Sequence, residues 1–204
     1  MSIQRIYLAS RSPRRRELLK QIGIGYEMLL LREDPVRGAD VDETPLPGEA
    51  PHDYVRRVAE AKAATGWLRV GQRRLPRLPV LAADTAVIVG ERIMGKPADS
   101  QDAIEMLGAL SGREHEVLCA VAVAYEGRLE MRLSVSKVGF KALSDEQIRR
   151  YVLTGEPLDK AGAYAIQGKA AAFVTSLSGS YSGVMGLPLS ETAELLTDFG
   201  MEIL

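Results

Sequence analysis

Apolar residues along this chain follow two periods, and the switches between them mark out strands and helices. Residues 3–9 (IQRIYLA) read as a short strand that stops at Ser10. Ser12 is then placed as a helix N-cap, with Pro13 at the first helical position, where a missing N–H does no harm. Leu18, Leu19 and Ile22 give this helix an apolar side, and Gly23 is placed to end it. Positions 32–51 (REDPVRGADVDETPLPGEAP) lose all periodicity and are rich in Pro and Gly, which predicts an ordered loop or lid. Helical spacing returns from His52 to about Gly66, with Val55, Val58 and Ala59 on one stripe, and the next member of that stripe is Lys62. A lysine there either carries its charge to the helix edge on an apolar stem or points into a polar cleft walled by the helix.

Residues 80–89 (VLAADTAVIV) are apolar except for Asp84 and Thr85 at mid-strand. Gly90-Glu91 reads as a two-residue hairpin turn that returns Ile93–Lys96 alongside, setting Lys96 opposite Thr85 and one step from Asp84. A helix over about 100–110 follows, capped by Asp99 or Ser100 and ended at Ser111-Gly112. Two long strand patterns, 116–125 and 129–141, are joined by Glu126-Gly127-Arg128. Ser144 and Gln147 form a capping box for a helix ending near Gly155. Residues 156–174 read as part loop and part strand, and a Gly/Ser-rich stretch leads into a last helix over 189–199. Strands and helices alternate, but the adjacent long strand pair predicts a mixed sheet rather than a purely parallel one.

Charge narrows the function classes. Lysine and arginine number 26 against 27 acidic residues, a net charge of −1, so neither nucleic acid nor a membrane surface is expected as partner. No apolar run approaches the ~20 residues of a membrane span, no leader pattern stands at the N-terminus, and Cys119 is the only cysteine, so a reduced, cytoplasmic setting is expected.

Against that balance three local features stand out. Arg14 and Arg15 occupy the first turn of a helix, where a cation is unfavourable by roughly 0.3–1 kcal/mol each unless an anion joins it; that anion is either a bound polyphosphate or the acidic loop at 33–43. Asp84 is a carboxylate inside an apolar strand and needs a partner, either Lys96 or a divalent cation. Asp40, Asp42 and Glu43 offer hard oxygen ligands of the type magnesium takes together with phosphate and water. The pattern G-x-x-x-x-G-K-[ST] is absent, as is a G-x-G-x-x-G after the first strand, and His52 and His115 have no nucleophile at a suggestive spacing.

Seven motifs in order, S-x-S-P-R-R-x-E-L-L (10–19), D-V-D-E-T (40–44), A-D-T (83–85), G-K-P (95–97), L-S-G-x-x-H-x-V (110–117), E-P-x-D-K-A-G-A-Y-x-I-Q-G (156–168) and G-S-Y-x-x-V-x-G-L-P (179–188), resemble the Maf family over nearly the whole chain, read as a single domain over 1–204. The resemblance implies an α/β fold, a mixed twisted sheet with flanking helices in two lobes around a cleft, similar to the inosine triphosphate pyrophosphatases. It implies a nucleoside triphosphate pyrophosphatase using a divalent cation, Mg2+ or Mn2+, and a homodimer. Asp84 is the implied catalytic base or metal ligand, with Glu43 as a second ligand. Ser10, Arg14 and Arg15 match the family's phosphate-loop positions, and Glu43, Lys62 and Lys96 match the remaining charged cleft positions, with Lys62 and Lys96 expected to bind substrate. Arg14, Thr85 and Gln167 match the branch that prefers dTTP and UTP over 7-methyl-GTP, and a glutamine amide can pair with the O4/N3–H edge of uracil or thymine. Arg16 falls at a position the motif leaves open and is expected at the surface, and Cys119 stands where the family usually has threonine. The family is also linked to inhibition of septum formation, so a non-catalytic, nucleotide-binding regulator of cell division is the alternative.

Overall fold

The computed structural model describes residues 5–34 and 38–203; positions 3 and 4 of the first predicted strand and 35–37 of the predicted loop lie outside them. In chain order the elements are β1 (Arg5–Leu8), α1 (Pro13–Gln21), β2 (Gly25–Met28), the short pair β3 (Glu33–Asp34) and β4 (Gly38–Ala39), α2 (Pro51–Gln72), β5 (Val80–Val89), β6 (Arg92–Met94), α3 (Ser100–Leu110), β7 (Glu114–Tyr125), β8 (Arg128–Phe140), α4 (Asp145–Val152), β9 (Val174–Ser178), α5 (Tyr181–Met185) and α6 (Leu189–Asp198). The main sheet runs β2-β1-β5-β7-β8-β9, with β6 also paired to β5. β1 is parallel to β2 and β5, and the remaining neighbours are antiparallel, which is the expected mixed sheet.

Strand β5 organises the core because its two faces serve different helices. Val80, Ala82, Ala86 and Ile88 pack with Val55, Val58, Ala59 and Ala63 of α2. Leu81 and Ala83, on the opposite face, join Leu18 and Leu19 of α1 and Leu195 and Leu196 of α6. Farther along the same strands, Val87 and Val117 enter a third cluster with α3, α4 and the 160s, so the long β5–β7 pair runs from one lobe into the other. Period-2 alternation therefore sends Asp84 toward α2 and Thr85 toward α1.

Helix ends follow the local chemistry. Ser12 is the N-cap of α1 without a side-chain cap bond, and Pro13 is at the first position. Gly23 (φ +72°) closes α1: its N–H donates to Lys20 O and Ile24 N–H to Leu19 O, the paired bonds of a Schellman motif. Asp99 caps α3, and the Ser144–Gln147 capping box is present on α4.

Three expectations are corrected. Helix α2 passes through Gly66 and continues to Gln72. Gly66 is a point of close approach rather than a stop, since a Cβ there would lie 2.7 Å from Val80 Cγ1. The stretch 156–173 is a chain of three 3₁₀ turns, and the Gly/Ser-rich stretch contains α5. The Gly90-Glu91 hairpin has the expected register, Val87 opposite Met94, but the ladder ends at Met94. Gly95 O instead accepts from Gly162 N–H, and this turns Lys96 out of the ladder and into the cleft between the lobes.

Candidate active site

A cleft of about 620 Å³ opens between the lobes. Ser10, Arg14, Arg15, Glu43 and Lys62 line one side of it, with Asp84 and Thr85 at its floor and Lys96 and Gln167 across from them. The nine residues come from segments as far apart as positions 10 and 167, and the fold brings all of them together.

The floor is an ion-pair chain. Asp84 is only 7% exposed, yet its charge has a partner: Lys62 Nζ donates to Asp84 Oδ1 at 2.9 Å and to Glu43 Oε2 at 2.7 Å. Lys62 thus points into a polar cleft, the second of the two readings of its place on the apolar stripe. Burial pushes the Asp84 carboxyl above its ordinary value, and Lys62 is the main opposing influence. The partner expected from the hairpin, Lys96, makes no ion pair among the described residues; once Gly95 bonds Gly162, its side chain stands exposed in the cleft.

The acidic loop divides its labour. Asp40, whose side chain is 1% exposed, accepts a forked pair from Arg69 (Nε 3.2 Å, Nη2 2.5 Å) and lies 3.2 Å from Arg32 Nη2. These guanidinium contacts hold its carboxyl down to about 2, so Asp40 is a loop clamp rather than a metal ligand. Asp42 accepts from Thr44 N–H at 2.9 Å and closes a local turn. Only Glu43 reaches the floor. It is presented by Tyr54, whose hydroxyl donates to Glu43 O at 3.0 Å, and by Arg57, which bonds Glu49 together with the carbonyls of Asp42 and Thr44.

Arg14 and Arg15 at the mouth of α1 both find partners within the protein, Arg15 through all three nitrogens and Arg14 through one. Arg15 Nε donates to Gly186 O at 2.7 Å, Nη1 to Ser10 Oγ at 3.1 Å and Nη2 to Thr85 Oγ1 at 3.3 Å. Arg14 Nε donates to Met185 O at 3.2 Å. Those carbonyls end α5, so the electronegative end of one helix offsets the electropositive mouth of another. The acidic loop is not their partner; its Glu33 pairs with Arg11 at 3.4 Å. Burial pushes the Arg14 guanidinium below its ordinary value, with Asp159 offsetting part of that. Arg16 is half-buried, with a buried Nε that has no partner among the described residues, against the expectation of ordinary surface. Cys119 is fully buried beneath this group, its Sγ 3.2 Å from Thr85 Oγ1, and burial pushes its thiol up to about 11.

The far wall holds residues whose chemistry was not anticipated. Lys160, paired with Asp159 and with a side chain only 14% exposed, lines the cleft, and so does Tyr164. Buried His115 contacts the Tyr164 hydroxyl at 2.9 Å through Nε2, and burial lowers its pKa to about 4, which keeps it neutral at pH 7. Gln167 projects from the rim with no side-chain hydrogen bond among the described residues, so its amide is not spent on capping the loop. Glu156 sets its position by accepting from Lys169 N–H at 3.0 Å, and a Cβ on Gly168 would fall 2.3 Å from Glu156 Oε1, so a side chain there would have to push that carboxylate aside. Lys160 and Glu156 lay inside a motif already singled out, but nothing local marked which of its charges face the cleft.

Among the described residues no group of three or more His, Cys, Asp or Glu converges. Glu43 and Asp84 nonetheless bring two carboxylates to within hydrogen-bond distance of one cationic nitrogen. Two hard oxygen donors beside a cleft open to phosphate fit the chemistry of magnesium or manganese.

Residues 5–199 match the family model described as Maf-like protein. A protein of Nitrosomonas europaea named dTTP/UTP pyrophosphatase is 59% identical over 198 residues, 97% of this chain and 96% of that protein. One of the same name from Aromatoleum aromaticum is 55% identical, covering 96% of each. Among solved structures the fold is similar to the Staphylococcus aureus Ham1 protein, with a TM-score of 0.50 at 16% identity over 96% of this chain and 97% of that one. The expected fold and the expected family are both borne out: the chain belongs to the Maf-like family.

Proposed function

We propose that the protein hydrolyses pyrimidine nucleoside triphosphates, dTTP and UTP foremost, to the monophosphate and pyrophosphate. The observation that carries this is Asp84, a buried carboxylate at the floor of a cleft lined by Arg14, Arg15, Lys62 and Lys96. The names carried by the Nitrosomonas and Aromatoleum proteins support the same reaction and the same substrates.

In this reading water adds to the α-phosphorus, the bridging bond to the β-phosphate breaks, and pyrophosphate leaves with the electron pair. Asp84 receives the water's proton, and burial, by raising its pKa, makes it a stronger acceptor than a surface carboxylate. Glu43 and Asp84 would hold a divalent cation, Mg2+ or Mn2+, which when bound neutralises phosphate charge. Arg14 spends only Nε on Met185 O, which leaves its terminal nitrogens for a phosphate fork. Ser10 Oγ accepts from Arg15 and from Ser12 N–H, so its own proton is available to a phosphate oxygen. Lys62 and Lys96 neutralise the β and γ phosphates. The Gln167 amide reads the pyrimidine edge while Thr85 holds Arg15 in place. Such a reaction runs on positioning and charge stabilisation.

The same reading takes the protein to be a cytoplasmic homodimer; among the described residues no helix is long and apolar enough to cross a membrane. A purely regulatory role in division is disfavoured, because a nucleotide sensor needs the phosphate cradle but not a buried base. The test is pyrophosphate release from each nucleotide with magnesium, with and without chelator. Asp84→Asn is expected to keep the wild-type circular dichroism spectrum and to lose most turnover. Hydrolysis of dTTP by that variant at the wild-type rate, or no release from dTTP or UTP by the wild type, overturns the assignment.

A further inference from the structure

Lys62 does something in this cleft that a phosphate-binding lysine has no need to do. Its ammonium is seated between Glu43 and Asp84, 2.7 and 2.9 Å from one oxygen of each. Its side chain is 14% exposed, so the charge is withdrawn from water rather than reaching for it. The Glu43 backbone is held independently, by Tyr54 and by the Arg57 bonds to its neighbours, so the loop brings this carboxylate to the floor without help from Lys62. The Glu43 side chain keeps part of its surface in water, but Asp84 is buried, so two carboxylates held this close repel each other and a cation between them relieves that. The ammonium is that cation. An oxygen already engaged by an ammonium at hydrogen-bond distance has no room on that side for a second cation.

The helix backbone carrying Lys62 has little freedom to move, because Gly66, one turn on, sits in close contact with Val80 and Leu29. The four-carbon stem is the part that can swing, and lysine is suited to that by its rotatable ammonium. Resting on the metal-assisted reading above, the geometry points to Lys62 as an internal stand-in for the divalent cation. It fills the Glu43–Asp84 bridge in the free protein and leaves it for the polyphosphate when nucleotide arrives. Occupation of the bridge by metal is thereby conditional on nucleotide. The free enzyme does not hold the cation in a form ready to act on other phosphate esters, and Lys62 serves as a positioning residue for the carboxylate pair before it serves the substrate.

The experiment measures Mn2+ binding by electron paramagnetic resonance, with and without a dTTP analogue whose α,β-bridge cannot be hydrolysed. Wild type, Lys62→Met and Lys62→Gln are compared, with Glu43→Gln to identify the site. Without nucleotide, both Lys62 variants are expected to bind Mn2+ about tenfold or more tighter than wild type. The analogue is expected to strengthen Mn2+ binding by a larger factor in wild type than in either variant. Variants that bind no tighter than wild type, or an equal analogue effect in all three proteins, overturn the inference. Tight Mn2+ binding by free wild type that is lost in Glu43→Gln also overturns it, even if neither Lys62 variant folds. Pyrophosphate release is not the readout: a protein that shows the expected exchange but hydrolyses nothing sinks the proposed activity and leaves the exchange standing.

Discussion

Replacing Gly66 by alanine sets two physical effects against each other, and the structure says which wins. In an isolated helix the substitution stabilises by about 1 kcal/mol, because glycine gives up more backbone freedom on folding. Here the added Cβ would lie 2.7 Å from Val80 Cγ1 and 3.4 Å from Leu29 Cδ2. Val80 is fully buried on β5 and β-branched, so its methyl has no free rotamer to retreat into. Overpacking of this kind costs about 1–3 kcal/mol, leaving a net loss of roughly 0–2 kcal/mol, or a fall of up to several degrees in melting temperature at this chain length. The alternative to absorbing the clash is for α2 to lift away from β5. Lys62 is one turn from Gly66 on the same helix face, so such a lift would carry its stem away from both the carboxylates and the cleft it serves. Gly66→Ala is therefore expected to lower kcat more than its stability loss accounts for. The assay is a double-mutant cycle with Val80→Ala, which removes the obstructing methyls, read by thermal melts and by pyrophosphate release. The pair is expected to be less destabilised than the sum of the singles. A more stable Gly66→Ala, or strict additivity with Val80→Ala, refutes the close-approach argument.

Arg74 ends α2 in the left-handed region (φ +52°), its N–H donating to Gly71 O while Leu75 N–H donates to Val70 O, so Arg74→Gly is expected to stabilise by about 0.5–1 kcal/mol in a urea titration. Burial raises the Asp84 carboxyl, so the base is lost as pH falls through a value above the ordinary carboxylate range; the acidic limb of the kcat profile should lie above that range, and a limb at or below it counts against Asp84 as the base. Asp40 is depressed to about 2 by Arg69, so its contribution to stability is present above the ordinary value of 3.8 and lost as pH falls from there toward 2. Asp40→Asn should consequently destabilise the protein at pH 7 and flatten its stability profile across that acid range, measured by denaturant midpoint against pH.

Much of the fold could be read from periodicity because strands and helices here seldom disagree with local pattern. The β5–β6 register, the caps of α3 and α4, and the Asp84–Thr85 interruption of β5 all depend on residues within a few positions of one another. What could not be read is where a side chain turns once its ladder ends. The hairpin rule placed Lys96 beside Asp84, and the register held as far as Met94. One tertiary bond, Gly162 N–H to Gly95 O, then took the chain elsewhere, and nothing near Gly95 encodes a partner 67 residues away. Lys62 had the opposite history: helical spacing flagged it as misplaced, but which strand carboxylate it faced depended on how α2 lies across the sheet. The fate of Gly66 turned on the same packing, since a helical glycine reads alike as a stop or as a point of contact until its neighbour is known.

The arginine cluster shows how that limit affects an electrostatic argument. Taken alone, Arg14 and Arg15 at the mouth of α1 look unstable without a bound anion. The structure supplies a neutral remedy in the carbonyls of Met185 and Gly186 at the end of α5. Those bonds consume one nitrogen of Arg14 but all three of Arg15, so the two residues are not equivalent. Arg15 is a strut whose partners, Ser10, Thr85 and Gly186, belong to three different segments of the cleft wall. Arg14 is the one left with a free fork beside Asp159. Replacing Arg15 by lysine should disturb all three segments at once, because a lysine cannot reach three acceptors in a planar arrangement. The same change at Arg14 should act on nucleotide binding alone. A rise in KM confined to Arg14→Lys, alongside a loss of both kcat and melting temperature in Arg15→Lys, is the pattern this division of roles requires, and equal effects in the two variants would contradict it.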